Sequence, residues 1–242
     1  MTLTLKVIFL FAIIFLTVSA AQAQNAALTH VFPQVVDGVV SDGSVYTSRL
    51  VIANSGESPA TCQVSLFGIA PERLSGAASF TVQPSSFETI TTRGEDVIST
   101  GYARVDCSQP VVASLTYSIL APTGTPLGIT TVPSAPVASV VLIPMVLNGR
   151  YRYGIAIAND NDATQVVVAL FDSGATSQVY TIPLQPRSQY VKFVDEIFDV
   201  PSAGSGILRI GPVPGGGPDN LHITALLFDQ GSFTNVVPAV IR

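Results

Sequence analysis

The chain has 242 residues, with 16 acidic against 11 basic side chains and only 11% charged residues, where a globular domain usually carries about 25%. The net charge is −5 and the basic residues are scattered rather than clustered, which argues against nucleic acid as a partner. With so few charges, the surface must be covered by Ser, Thr, Gln and Asn.

At the amino terminus, Lys6 precedes an apolar run from Val7 to Val18, and Ala21-Gln-Ala23 follows as a small-x-small cleavage pattern. Residues 1–23 therefore read as a secretory signal peptide, with Gln24 as the first mature residue. The competing reading is a membrane anchor, but the run falls short of the ~20 apolar residues that span a bilayer. No cysteine follows the run, so lipid attachment at the mature terminus is not indicated. Removing the leader removes Lys6 and no acid. Farther on, residues 137–147 come nearest to a second apolar span, but Pro144 interrupts them and Asn148-Gly149 ends them. The expected location is periplasmic, cell-surface or extracellular.

From there the chain reads as short strands rich in Val, Ile and Thr, separated by Gly, Pro, Asn and Ser. In the first part, strands are expected near residues 29–36, 46–54, 60–67, 77–82, 87–92, 101–107 and 110–120, with a possible terminal strand at 128–132. Within 60–67, Cys62, Val64 and Leu66 face one way and Gln63 and Ser65 the other, as half-buried strands do. Only residues 190–200 show a hint of helical periodicity, with Phe193, Ile197 and Val200 on one side and a solvated turn at Asp195, Glu196 and Asp199. His30 and His222 each fall at an expected strand edge and read as polar rim residues.

The central observation is a hairpin written twice. Arg49-Leu-Val-Ile-Ala-Asn54, a polar turn and Cys62-Gln-Val-Ser-Leu-Phe67 form the first copy. Gly154-Ile-Ala-Ile-Ala-Asn159, Asp160-Asn-Asp162 and Gln165-Val-Val-Val-Ala-Leu-Phe171 form the second. The match extends outward in order. Val31–Gly38 answers Leu142–Gly149, Gln83-Pro-Ser-Ser86 answers Gln185-Pro-Arg-Ser188, and Gly101–Asp106 answers Gly206–Gly211. The period of about a hundred residues is the size of a small domain rather than of a solenoid repeat. The fold expected is all-β: two tandem immunoglobulin-like β-sandwich domains, residues 24–136 and 137–242, after the signal peptide. In the second copy Val166-Val-Val-Ala-Leu170 is apolar on both faces, so the expectation is that the other domain covers it.

An opening such as Phe32-Pro-Gln-Val-Val-Asp-Gly38, followed by Leu50-Val-Ile-Ala-Asn54, a short polar turn and Val64-Ser-Leu-Phe67, resembles a recurrent secreted bacterial β-sandwich module. The closing Ile223–Phe228, Gly231-Ser-Phe233 and Val237-Pro238 resemble it as well. The resemblance covers nearly all of the mature chain, twice. It implies a cell-envelope or extracellular location and transfers no catalytic residue.

The search for chemistry is largely negative. No His/Cys group has zinc spacing. Ala203-Gly-Ser-Gly206 is not a nucleophile elbow. Pro214-Gly-Gly-Gly-Pro218 lacks the lysine and context of a phosphate cradle. No cofactor is indicated. Asp160 and Asp162 offer oxygens to calcium, although a hairpin tip calls for Asp and Asn in any case. Tyr151, Arg152 and Tyr153 offer an aromatic platform for a sugar, against the alternative of an edge strand guarded by arginine; the absence of Trp weakens the carbohydrate reading. Cys62 and Cys107, the only cysteines, are expected to form a disulfide in an oxidising compartment, against the alternative of two buried thiols. The function expected is non-enzymatic, a structural or adhesive role through a protein partner, with carbohydrate binding as the alternative and a hydrolase as a remote one.

Overall fold

The computed structural model describes residues 26–95, 97–213, 221–229 and 232–241. The signal peptide expected at residues 1–23 and the glycine-rich stretch 214–218 lie outside the described residues. Among those described, no helix is long and apolar enough to cross a membrane.

The fold is all-β. The first half contains β1 (Ala27–Val39), β2 (Val45–Asn54), β3 (Ala60–Phe67), β4 (Ser79–Val82), β5 (Ser86–Thr91), β6 (Ser99–Leu120) and β7 (Pro126–Pro133). The second contains β8 (Val140–Leu147), β9 (Tyr151–Asn159), β10 (Gln165–Asp172), β11 (Ser177–Leu184), β12 (Ser188–Phe193), β13 (Gly204–Pro212), β14 (Leu221–Asp229), β15 (Ser232–Val236) and β16 (Ala239–Ile241). The helical hint at 190–200 resolves into strand β12 and a single 3-10 turn, Val194–Glu196. Val194 and Phe198 are its most deeply buried side chains, so the inward face differs by one residue from the expected one.

In the first half one sheet wraps around the core because β6 serves both layers. Its first part pairs with β1 and β3, and its second part with β2 and β7. The sequence reading divides this strand at Pro110; the structure keeps it continuous, with Pro110 at the crossing from one layer to the other, where no ladder partner is lost. Strand β1 also crosses between layers, pairing with β6 and then with β2 through Gly38. Gly38 has φ 116°, and a Cβ there would lie 2.8 Å from the Val97 carbonyl oxygen, so only glycine fits.

The second half separates the two layers into the sheets β11-β10-β13-β8-β16 and β12-β9-β14-β15. The first half has the corresponding neighbours β4-β3-β6-β1 and β5-β2-β6-β7. The sequence duplication is therefore matched in pairing. Cys62 lies opposite Cys107 on β3 and β6, and Val167 lies opposite Pro212 on β10 and β13. Cys62 and Cys107 form a disulfide, as expected.

Two features of local chemistry explain why the hairpin sequence repeats. Asn54 and Asn159 end β2 and β9 and are buried. Asn54 Nδ2 donates to the carbonyls of Ser58 (2.8 Å) and Val82 (3.1 Å), while its Oδ1 accepts from Gly56 N (2.9 Å). Asn159 Nδ2 donates to Ala163 (2.9 Å) and Gln185 (2.8 Å), and its Oδ1 accepts from Asn161 N (3.1 Å). Each amide thus closes its own turn and ties that turn to the other layer. Asn159→Ala is expected to cost about 2–3 kcal/mol, because several main-chain groups lose their partner at a buried place. Urea unfolding measures this, and a change below about 0.5 kcal/mol would refute the bracing role. The Gln-Pro-x-Ser turns also agree: among the described residues Ser85 and Arg187 are the non-glycine residues with positive φ, at 54° and 50°.

Each half has an apolar interior. Phe32, Ile52, Val64, Val105 and Leu115 fill the first, and Ile143, Ile157, Phe171, Ile182 and Leu208 the second. The first cluster continues into the second half through Leu226 and Phe233, so the halves share apolar surface rather than hanging on a linker.

Candidate functional site

The chemistry-bearing residues converge on the seam between the halves. In β9, Ile155 and Ile157 point into the core of the second half, while Gly154, Ala156 and Ala158 alternate with them on the other face. That face lies against β1 and β6 of the first half. Val31, Tyr102 and Ala158 form a fully buried cluster there, and the Phe67 ring stacks on Tyr102 with centroids 4.6 Å apart. In the first copy the equivalent face of β2 carries Arg49, Val51 and Ala53, which are exposed or half-buried. Small side chains on the second copy allow two sheets to approach closely. Gln189 adds to the seam from β12: with its amide oriented by the network, Nε2 donates to the carbonyls of Pro33 and Gly101, each at 2.7 Å.

Asp160 is the electrostatic centre of the seam. Its side chain is 5% exposed and sits between Arg104 of the first half (2.6 Å) and Arg187 of the second (2.6 Å). The Tyr102 hydroxyl donates to Asp160 at 3.2 Å. Arg104 also forks onto Asp106, and Arg187 onto Asp162 at 2.8 Å. Burial opposes ionisation of Asp106, but its bonds from Arg104 and Thr29 outweigh this and hold the carboxyl below its usual range. Burial, then the charge of Asp160, pushes the Tyr102 phenol upward, so it remains a donor. The geometry bears on Asp160 and Asp162 as the weak calcium candidates. Two guanidinium groups occupy the carboxylate oxygens, and their fixed positive charge opposes a metal cation. Among the described residues no group of three or more His, Cys, Asp or Glu could hold a metal ion.

Neither histidine is an exposed rim residue: both are buried, His30 within the first half and His222 in the seam. His30 Nε2 meets the Val111 carbonyl at 2.8 Å, so that nitrogen carries the proton, and Nδ1 accepts from the Ser134 hydroxyl at 2.9 Å. His222 Nδ1 donates to the Ala135 carbonyl at 2.7 Å. The connecting residues are held on both sides: Ala135 N donates to Val31 O, and Ala138 N to Leu221 O. Burial lowers the pKa of both imidazoles below 6.5, partly offset by their main-chain bonds.

This has a pH consequence. Once unfolded, each imidazole takes up a proton below about pH 6.5, whereas the folded protein resists protonation until lower pH. The unfolded state then binds more protons, so stability falls as pH drops through 6.5. Urea unfolding between about pH 7.5 and 5.5 should show that decline. His30→Gln with His222→Asn, which place an amide nitrogen near each donor, should flatten it. An unchanged slope in the double variant would refute the assignment.

The remaining sequence candidates lie apart from this cluster. Strand β9 lies between β12 and β14, but the β12 ladder ends at Gly154, so Tyr151, Arg152 and Tyr153 are paired on one side only, with β14, and the 3-10 turn Val194–Glu196 follows β12 on the other. Both tyrosines face the interior. Tyr153 is buried and its hydroxyl receives the Val146 N–H at 2.8 Å, while Tyr151 packs at the edge of the same core. Arg152 points the other way, 3.8 Å from the Phe193 ring centroid and paired with Asp195 at 3.0 Å. An exposed aromatic pair is therefore not formed, because strand alternation puts both rings on the covered face.

Two clefts open along the seam. One, of about 970 Å³, includes Arg104, Asp160, His222, Ser134 and Asn235 in its lining. The other, of about 340 Å³, is apolar and aromatic, with Tyr46, Tyr117, Phe193, Phe228 and Phe233 among its walls. Sequence reasoning missed Arg104, Arg187 and Tyr102. The available signals were Gly154-x-Ala-x-Ala158 beside large Ile residues, and a long cationic side chain at the turn position that holds Ser85 in the first copy.

The seam uses the four-stranded sheet of the second half. The expectation that the first half covers β10 is therefore corrected: its outer face is left uncovered. Val166 (41% exposed), Val179 (63%), Ile207 (49%) and Val146 (57%) lie on it, with Val168, Leu170 and Leu142 half-exposed among them. The equivalent strands of the first half carry Thr61, Gln63, Ser65, Arg104 and Asp106.

No family model matches the chain, and no curated protein matches it. Among solved structures it is similar to that of Thermotoga maritima 1070, at 14% identity and TM-score 0.32, over 43% of this chain and 92% of the other. It is also similar to the secreted serine protease VesC from Vibrio cholerae, at 10% identity and TM-score 0.24, over 82% of this chain and 48% of that one. The viral chemokine binding protein R17 of rodent gammaherpesvirus Peru matches at 8% identity and TM-score 0.21, over 86% of each chain. Likenesses this distant say nothing about activity.

Proposed function

We propose that the chain is a non-enzymatic exported protein of two tandem immunoglobulin-like β-sandwiches, locked by their seam into one unit that presents a sheet face to a protein partner. Its role on this reading is structural or adhesive, at the cell envelope or outside the cell. The observation that supports it best is the uncovered apolar face of β11-β10-β13-β8, whose counterpart in the first half is polar. Contiguous exposed apolar surface of this kind marks interaction sites. The seam supports the same reading, since Asp160, Arg104, Arg187 and His222 are committed to holding the halves together.

Photo-crosslinking in the exporting cell tests this. A photoreactive residue at position 166 or 179 is expected to capture protein, whereas one at position 65, on the polar face, is expected to capture little. Equal capture at the two faces, or none at 166 and 179, would overturn the proposal.

A further inference from the structure

We propose that the partner of this face is a second copy of the chain, joined as a two-fold dimer with the five-stranded sheets packed face to face. The proposal rests on the reading of that face as an interface and names its occupant. The face is mostly apolar, with Ser177, Thr181 and Ser205 towards its margins and two charges, Arg209 in the middle of β13 and Asp172 at the end of β10. Arg209 is exposed on β13 and makes no ion pair or side-chain hydrogen bond among the described residues. Asp172 is exposed on β10, on the same face, and its carboxylate accepts from Gly174 N. Leu170 lies opposite Arg209 and Asp172 opposite Ile207, so the two charges are diagonal neighbours across β10 and β13.

Their placement suits self-association. In an isologous contact residue i of one copy meets j of the other, and j meets i. A two-fold axis lying between the faces, and crossing the Arg209–Asp172 line at its midpoint, sets each Arg209 against the Asp172 of the other copy. That midpoint is level with Leu208, the middle residue of β13 (Gly204–Pro212), and falls between the second and third strands of β11-β10-β13-β8. A heterologous partner would need its own matching pair of charges.

The size of the face sets the limit of the contact. Strands β8, β10 and β11 have 8 residues each. At ~3.4 Å per residue and ~4.8 Å per strand, the face covers roughly 550 Å² per copy. Full overlap would bury roughly 1,100 Å² in the pair, an upper limit close to the ~1,000 Å² expected of a specific interface. The axis that pairs the charges crosses the strands of the two copies at roughly 70°, nearer the orthogonal class of sheet packing than the aligned one, with Leu170 and Ile207 beside the paired charges at the centre of the contact.

Sedimentation equilibrium of the purified mature chain, from about 1 to 100 μM, tests the proposal. The wild type is expected to pass from monomer to dimer across this range. Val166→Glu with Val179→Glu, both at exposed positions, is expected to remain monomeric with an unchanged thermal midpoint. Arg209→Asp is expected to weaken the dimer at least tenfold, and adding Asp172→Arg to restore most of the loss. A wild type that stays monomeric, or a dimer indifferent to Val166→Glu and Val179→Glu, overturns the proposal. Failure of the double charge reversal to restore association overturns the two-fold placement. A monomer in the centrifuge, together with crosslinking of another protein at 166 and 179 in cells, rejects the second copy while leaving the interface reading intact.

Discussion

Loss of the Cys62–Cys107 disulfide is expected to destabilise the first half by about 4 kcal/mol, with little direct effect on the second. The bridge closes a segment with a sequence separation of 45. In the chain-entropy description, freeing a loop of that length returns roughly 4 kcal/mol to the unfolded ensemble. The bridge joins β3 to β6, the strand common to both layers of the first half, so the constraint is passed to every neighbour of β6. Cys62→Ala with Cys107→Ala is the appropriate variant, since alanine leaves no unpaired polar group beside Val64 and Val105. Urea unfolding, a single step in the wild type, should split in this variant, with probes in the first half lost at lower urea than probes in the second. The second half provides the internal control, with Val167 opposite Pro212 in place of the bridge. Alkylation of unfolded protein should label neither cysteine before reduction and both after it. Quantitative labelling without reductant would refute the bond.

Removal of the Asp160 carboxylate is expected to weaken the union of the halves by about 2–3 kcal/mol. Taking one partner from a buried ion pair costs about 3–5 kcal/mol when the charge left behind is buried. Here the guanidinium groups of Arg104 and Arg187 are 30% and 31% exposed, so water recovers part of that loss. Asp160→Asn tests the charge while keeping the size of the side chain. The variant should unfold in two separated steps where the wild type unfolds in one, because Asp160 joins Arg104 of β6 to Arg187 beside β12. Protease cleavage near residues 134–138 should accelerate in parallel. If Asp160→Asn unfolds in a single step within about 0.5 kcal/mol of the wild type, the carboxylate is not the anchor of the seam.

Much of the fold can be read from the chain without its structure. The Asn-led hairpin occurs twice because each asparagine closes its own turn and binds the opposite layer, and that demand is local. The period-2 alternation of Cys62, Val64 and Leu66 marks the covered face of β3. The same alternation aligns Cys62 with Cys107, so the disulfide follows from pattern and compartment. The boundaries of β3 agree with the expectation throughout, because polar turns bracket it. Strand β6 was less legible, since Pro110 resembles a break and only the presence of a second layer makes it a crossing point.

The seam is where sequence reasoning stops. Alternation shows which face of a strand meets its own core, but the other face can meet water, another half of the chain or another molecule. Gly154, Ala156 and Ala158 are compatible with all three, as are Val166, Val168 and Leu170. The tertiary structure decides between them by placing the four-stranded sheet against β1 and β6 and leaving the five-stranded sheet uncovered. It likewise turns Tyr153 inward and reassigns Asp160 from a hairpin-tip acid to the partner of two arginines. Asp160 and Arg104 are separated by 56 residues, and no local rule links positions that far apart. Strand identity and the duplicated hairpin follow from interactions within a few residues or between adjacent strands. Which apolar faces meet depends on how whole sheets fit together.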